Sequence, residues 1–245
     1  MARAASRKGL DAGRAGSPIT LAIDIGGTGL KIQALSAEGQ PITERLRVPT
    51  PEPATPEAVM TALDELKVGI PLFDRVSVGF PGVIKQGKTL TAANLDPEWI
   101  DFPFAKTLEK RWGKPVRIAN DCAVQGYAVI QGHGVELVVT LGTGLGSALF
   151  TQGVLCPGLE LGHHPWRKKT YEDYLGKRGL HKFGTKRWNK LLKLAIEQTC
   201  ATFNWDKLYI GGGNAKKVTV KHGSDIKIIS NEEGLLGAMA LWRDA

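Results

Sequence analysis

A chain of 245 residues with 42% hydrophobic and 23% charged side chains has enough apolar material for one large core or two smaller ones, which excludes a wholly disordered protein. Its three cysteines, Cys122, Cys156 and Cys200, are too scattered for a disulfide scaffold or a zinc ribbon and read as small buried hydrophobes, and no run of about 18 apolar residues is available to cross a membrane. The formal net charge of +8 is local: between Leu161 and Lys193 ten basic side chains face only Glu172 and Asp173, and the rest of the chain is close to neutral.

Residues 1–17 carry Arg3, Arg7, Lys8 and Arg14 among Ala, Gly and Ser without a hydrophobic signal core, and read as a disordered basic tail on a cytoplasmic protein. Residues 19–25 are a β-rich apolar run ending at Gly26-Gly27, a buried strand entering a tight turn. Strands at 30–36 and 41–48 complete a meander, and a Pro-rich connector leads to Pro56, where Val59, Leu63 and Leu66 give a helix its apolar stripe. Strand character returns at 75–79 and breaks at Phe80-Pro81-Gly82. Phe104, Leu108 and Trp112 mark a second helix, and 116–119 is a short strand ending at Asn120-Asp121. The following helix, 124–131, is weakened by Gly126. This order describes an α/β lobe over 18–119.

The plan then starts again, giving a second α/β lobe over 120–245. A strand at 136–141 meets the turn Gly142-Thr143-Gly144 and returns at 147–151. Helices are expected at 171–177 and 186–203, a strand at 207–210 ending in Gly211-Gly212-Gly213, and a last strand at 225–229. Asn231 caps a final helix through Trp242 that is expected to pack back on the first lobe.

Three strands thus end in glycine-rich turns: Asp24-Ile25-Gly26-Gly27-Thr28-Gly29, Thr140-Leu141-Gly142-Thr143-Gly144 and Gly211-Gly212-Gly213-Asn214. Such turns bring backbone N–H groups close to an anion, although any one of them alone is more often only a bend. In the first, Asp24 at the strand end and Lys31 shortly after it fit a phosphate site with Mg²⁺ held through water. Neither a Walker A loop nor a dinucleotide fingerprint is present.

In order and content the three turns resemble the phosphate-1, phosphate-2 and adenosine motifs of the actin, heat-shock chaperone and hexokinase superfamily. The resemblance implies an α/β, two-lobed actin-like ATPase (ribonuclease H-like) fold, each lobe a mixed sheet with helices. The active site would lie in the cleft, with phosphate or nucleotide held by Asp24, Gly26, Gly27, Thr28, Gly29, Lys31, Thr140, Gly142, Thr143, Gly144, Gly211, Gly212, Gly213 and Asn214.

Between the turns lie Gly79-Phe80-Pro81-Gly82, Asn94, Asn120-Asp121, Glu160-Leu161-Gly162-His163 and Glu172. This set resembles the sugar site of the ROK family of glucokinases, repressors and related kinases. Carboxylates, amides and imidazole suit a ring of hydroxyls that each donate and accept. The resemblance implies that Asp121 is the catalytic base for the 6-hydroxyl of glucose or mannose. It also implies that Asn94, Asn120, Asp121, Glu160, His163 and Glu172 hold the sugar, and that the protein is a homodimer. On the residues alone, Asn120-Asp121 reads more readily as a helix cap. His163 alone reads as an ordinary histidine.

The chain departs from many ROK proteins after Glu160-Leu161-Gly162-His163. A C-x-C-G-x-x-G-C zinc loop is replaced by His164-Pro165-Trp166-Arg167-Lys168-Lys169-Thr170-Tyr171-Glu172, so structural zinc is not expected. The basic run begins there. A charge run is usually a solvated face, but this one directly follows the sugar motif, and a polyanion could lie along it. A zinc-free core with this segment resembles the polyphosphate-dependent glucokinases and glucomannokinases within the family. That implies polyphosphate, ATP or both as donor, with a polyphosphate track of Arg167, Lys168, Lys169, Lys182, Lys186 and Arg187; an ATP-only sugar kinase is the alternative. Fewer than 20 residues precede the first strand, too few for the DNA-reading domain of a ROK repressor, so no nucleic-acid partner is expected. A non-catalytic sugar-binding regulator would lack Asp121.

Overall fold

In the computed structural model of the chain the described residues are 17–70, 72–92, 95–156, 158–229 and 235–243. Most of the expected tail, Asn94 and the helix cap Asn231 lie outside them.

The first half runs β1 (Thr20–Gly26), β2 (Gly29–Leu35), β3 (Leu46–Val48), α1 (Pro56–Lys67), β4 (Arg75–Phe80), the hairpin β5 (Ile84–Lys85) and β6 (Lys88–Thr89), α2 (Phe104–Trp112) and β7 (Val116–Asn120). The second runs α3 (Asp121–Val129), β8 (Val135–Leu141), β9 (Leu145–Thr151), β10 (Val154–Leu155), the hairpin β11 (Pro165–Trp166) and β12 (Lys169–Thr170), α4 (Tyr171–Leu175), α5 (Lys177–Phe203), β13 (Lys207–Gly211) and β14 (Ile226–Ile228). The sheets have the orders β3-β2-β1-β4-β7 and β10-β9-β8-β13-β14. Both follow one plan: an antiparallel meander whose first strand continues, on its other side, into two parallel strands.

Local chemistry accounts for the element ends. Thr55 caps α1 by accepting from the Ala58 N–H at 3.2 Å, and Pro56 occupies the first helical position, where its missing N–H costs nothing. β1 is buried on both faces through Leu21, Ala22, Ile23 and Ile25, as a strand between two neighbours inside a covered sheet must be.

Several elements differ from the sequence expectation. The strand expected at 41–48 is reduced to β3, because the Thr43 side chain takes the bond from the Ala34 N–H (3.0 Å) that a ladder carbonyl would accept. α3 starts at Asp121 instead of 124, since Asn120 accepts from the Cys122 N–H at 2.9 Å and caps it. Gly126 does not weaken this helix: a Cβ there would lie 2.6 Å from the Phe150 ring, so glycine is what lets α3 approach β9. The helix expected from 186 extends back to Lys177, broken at Gly184, where φ is 68° and ψ 160°. The final helix is a tight 3₁₀ segment, Leu236–Trp242. Of the cysteines only Cys122 is buried; Cys156 is half-buried and Cys200 exposed.

Buried apolar residues form three clusters. One gathers β1, β2, β4, α1 and α2, and a second gathers β8, β13, α4 and α5. The third lies between the sheets around α3, joining Ala22 and Ala119 to Val138, Phe150 and Tyr209. Leu236–Trp242 closes this third cluster. Ser77 donates to the Ala238 carbonyl (2.8 Å) and accepts from Trp242 Nε1 (2.7 Å), while the Arg117 and Arg75 guanidinium groups lie 4.5 and 5.0 Å from the Trp242 ring.

The segment rests directly on α3: a Cβ on Gly237 would fall 1.8 Å from the Val124 carbonyl oxygen. Gly237→Ala is therefore expected to cost on the order of 2–3 kcal/mol, because backbone must move to admit it. Thermal unfolding of the variant should show a Tm lower by roughly 4–10 °C.

Candidate active site

Asp24, Gly79 and Ala119 are paired in register across the parallel strands β1, β4 and β7, near their carboxyl ends, where open α/β sheets bind ligands. The chain then turns from β7 directly into α3. The helix start packs directly over β4: a Cβ at 79 would be in van der Waals contact with the Asp121 Cα, at 3.6 Å. Asp24, Lys31, Arg45, Gly79, Asp121 and Gln125 line one cavity of about 70 Å³.

The charges in that cavity are unevenly neutralised. Lys31 Nζ pairs with Asp24 Oδ2 at 2.5 Å. The Asp121 carboxyl accepts from the Cys122 N–H at 2.8 Å but has no cationic partner among the described residues. Burial, then Asp24, then Glu160 push its pKa up to about 7, against the lowering effect of that hydrogen bond. Burial likewise drives the Cys122 thiol far above its ordinary range, so it is inert at neutral pH.

The other sugar-motif residues lie around the same corner. Asn120 and Glu160 line a neighbouring cavity of about 220 Å³ with Gln86, Ser147 and Cys156. Asn120 is anchored at both ends of its amide, since its Nδ2 also donates to the Gly82 carbonyl at 3.2 Å. Ser147 positions Glu160 by donating to the Leu159 carbonyl (2.5 Å) and accepting from the Leu161 N–H (3.1 Å). Burial raises the Glu160 pKa; His163, whose Nδ1 is 3.8 Å away, lowers it, and Glu172 raises it. Glu172 is tied to the second turn, accepting from the Leu145 N–H at 3.0 Å.

The glycine turns fall into two groups. The first belongs to the small cavity through Asp24 and Lys31, with Gly27 and Thr28 at an exposed tip and the Arg47 side chain lying over Gly29. The second and third are bound to each other: Asn214 donates through its N–H to the Leu141 carbonyl (2.8 Å) and through Nδ2 to that of Gly142 (3.0 Å). Thr140, Gly142, Thr143, Gly144, Gly212, Gly213 and Asn214 line neither cavity. Gly211 comes near the small one through Gln125, whose Oε1 lies 3.8 Å from where a Cβ on that glycine would be.

Packing orders the basic segment. Trp166 stacks on Tyr171 with centroids 4.8 Å apart, donates to Gln198 Oε1 at 2.7 Å, and is followed by a capping box between Thr170 and Asp173. A groove of about 660 Å³ runs beside it, lined by Arg167, Lys168, Lys169, Arg178, Lys182 and Arg187, with Asp173 its acidic member. Lys186 is exposed outside this lining.

Sequence reasoning missed Arg45, Gln125 and Arg178. A spacing of four along α3 from Asp121 was available to find Gln125. Arg178 was one of the ten basic residues already counted. Arg45 carried no signal beyond its place in the strand expected at 41–48.

Two mixed sheets of one repeated plan, meeting at carboxylates near the ends of parallel strands, define the actin-like ATPase fold of sugar kinases. A profile of the ROK family matches residues 20–179, and the chain belongs to that family. It is 32% identical over 208 residues to the polyphosphate glucokinase of Mycobacterium tuberculosis (strain CDC 1551 / Oshkosh), covering 80% of this chain and 77% of the relative. The crystal structure of the inorganic polyphosphate/ATP-glucomannokinase from Arthrobacter sp. strain KM superposes with a TM-score of 0.81 at 32% identity, over 91% of this chain and 97% of that one. A ROK family glucokinase from Streptomyces griseus, solved with glucose and AMPPNP, shares the fold at a TM-score of 0.71 and 21% identity, over 91% of this chain and 98% of that one.

A carboxyl whose folded-state pKa is raised lowers stability once it must ionise. The cost is absent below the unfolded value, grows between 3.8 and about 7, and is complete above that. Asp121→Asn keeps an acceptor for the Cys122 N–H and removes the charge. Chemical denaturation at pH 8 should show the variant more stable by up to about 4 kcal/mol, with the advantage vanishing toward pH 4.

Proposed function

We propose that the protein is a hexose kinase that transfers a phosphoryl group from inorganic polyphosphate or ATP to the 6-hydroxyl of glucose, with mannose as a further acceptor. The observation that carries the reading is Asp121: a half-buried residue whose carboxyl has no cationic partner among the described residues and a pKa raised to about 7, sharing a cavity with Asp24. A group poised near neutrality is matched to taking a proton from an alcohol. The ROK membership and the polyphosphate-using relatives point the same way.

In this reading Asn120, Glu160, His163 and Glu172, with Asn94, hold the ring hydroxyls, so that the 6-hydroxyl is presented to Asp121. Orientation of this kind is the larger catalytic contribution in phosphoryl transfer. The first turn and Lys31 receive the transferred phosphate; the second and third turns serve the rest of the donor. The small cavity offers a cation the carboxylates of Asp24 and Asp121, with Lys31 and Arg45 in the same lining and Lys31 already paired with Asp24. Among the described residues no group of three or more His, Cys, Asp and Glu could hold a metal directly, so Asp24 would bind Mg²⁺ through water. When bound, Mg²⁺ supplies neutralisation of the donor's phosphate charge.

The groove with six cations favours polyphosphate, a chain of repeated charges that such a surface attracts by counterion release. The reading takes the enzyme as a cytoplasmic homodimer; among the described residues no helix is long and apolar enough to cross a membrane.

Initial rates with glucose and each donor test the proposal. Glucose 6-phosphate should form from polyphosphate at low salt, and kcat/KM should rise with pH through about 7. No turnover with either donor would reject the kinase, and turnover with ATP alone would reject the polyphosphate donor. Asp121→Asn should lower kcat by roughly 10²–10⁴ with glucose binding retained. Joint Arg178→Ala and Arg187→Ala should raise the KM for polyphosphate, leave that for glucose unchanged, and flatten the salt dependence by about one log–log unit per contact removed.

A further inference from the structure

A second group of cations stands at the end of the first sheet remote from Asp121. Arg75 opens β4, four residues before Gly79 and so about 13 Å along the strand from it. Its Nε donates to Thr20 Oγ1 at 2.8 Å, which leaves its terminal amino groups without a hydrogen bond among the described residues. Arg117 lies with it against the Trp242 ring and donates to the Leu241 carbonyl, and Arg243 follows, exposed. None of the three is in an ion pair among the described residues, and the nearby Asp74 carboxyl is occupied by the Ile19 N–H at 2.8 Å. Burial, then the charge of Arg117, pull the Arg75 pKa down against the opposing effect of Asp74. Guanidinium groups gathered in this way call for an anion.

The cavity beside them narrows the kind of anion. It measures about 430 Å³ and is lined by Arg75 and Arg243 together with Glu38, Gln40, Tyr127 and Met239. The Ser36 hydroxyl fixes the polar part of this lining: it donates to Glu38 Oε2 at 2.7 Å and accepts from the Glu38 and Gln40 N–H groups, both at 3.2 Å. Two guanidinium groups suit the oxygens of a single phosphate. Glu38 repels a longer polyanion, for which the groove beside α5 offers six cations. A carboxylate and an amide suit hydroxyl groups, and Tyr127 and Met239 give the C–H face of a ring an apolar wall.

We propose that this cavity is a second ligand site and takes a sugar phosphate, with Arg75 and Arg243 on the phosphate and Glu38 and Gln40 on the hydroxyls. The ligand belongs to the class that the proposed reaction releases; calling it the product rests on the kinase reading, whereas the cations and the cavity stand without it. Tyr127 belongs to α3, the helix that begins at Asp121, so a ligand here touches the element that carries the base.

Trp242 supplies a local signal, because its Nε1–H donates to Ser77 Oγ beside Arg75 and Arg117. The test is ¹⁵N–¹H NMR of the indole groups, with the Trp242 resonance assigned by its loss in Trp242→Phe, in enzyme held in saturating glucose to fill the acceptor site. Glucose 6-phosphate should shift that resonance saturably, and inorganic phosphate should bind more weakly. Arg243→Glu changes an exposed side chain and should weaken glucose 6-phosphate binding at least about tenfold while leaving the KM for glucose unchanged. No saturable shift, or the same affinity in Arg243→Glu, overturns the site. Inorganic phosphate binding as tightly as the sugar phosphate overturns the sugar assignment. The titration needs no turnover, so a parent inactive with both donors would sink the kinase reading without deciding this one.

Discussion

The molecule is organised around one short helix held without slack between two sheets. α3 is pressed from β9 by the Phe150 ring, from β4 by the bare backbone of Gly79, and from the chain's end by Leu236–Trp242. A Cβ at Gly126 would collide with the Phe150 ring and one at Gly237 with the Val124 carbonyl, while one at Gly79 would just touch the backbone of Asp121. Close packing of this kind has few alternative arrangements, so the first turn of α3 is fixed with respect to both sheets. Asp121 is the first residue of that turn.

From this constraint the electrostatics follow. A helix N-terminus ordinarily favours a carboxylate, and the Cys122 N–H does stabilise Asp121. The opposing effects are larger: the carboxyl is largely desolvated, Lys31 is paired with Asp24, and Asp24 and Glu160 both act on Asp121 with like charge. The packing thus holds the carboxyl where its pKa lies near neutral pH, which an isolated helix could not do. Much of the surplus positive charge lines a separate groove beside α4 and α5.

Much of this was legible in the residues. The duplicated plan showed in two apolar strands each ending in a glycine turn, and the strand ends of β1, β4 and β8 follow the sequence pattern within one or two residues. Asp24 and Asp121 were drawn from motifs nearly one hundred positions apart, and they line one cavity. What the sequence hid depended on tertiary contacts. Gly126 reads as a helix breaker until Phe150 is seen against it, and β3 looks longer until the Thr43 side chain is found in place of a ladder carbonyl. Gln125 reads as a solvated helix residue because nothing local says that α3 is buried on that side. The union of the second and third turns through Asn214 likewise needs β8 and β13 to be paired.

The account stands on the protonation of a single carboxyl group. Carbon-13 NMR of the Asp121 carboxyl across pH 3 to 9, assigned by its disappearance in Asp121→Asn, reads that property directly. A titration centred near 7 is the predicted result. A midpoint in the usual range for an exposed aspartate, around 4, would contradict it.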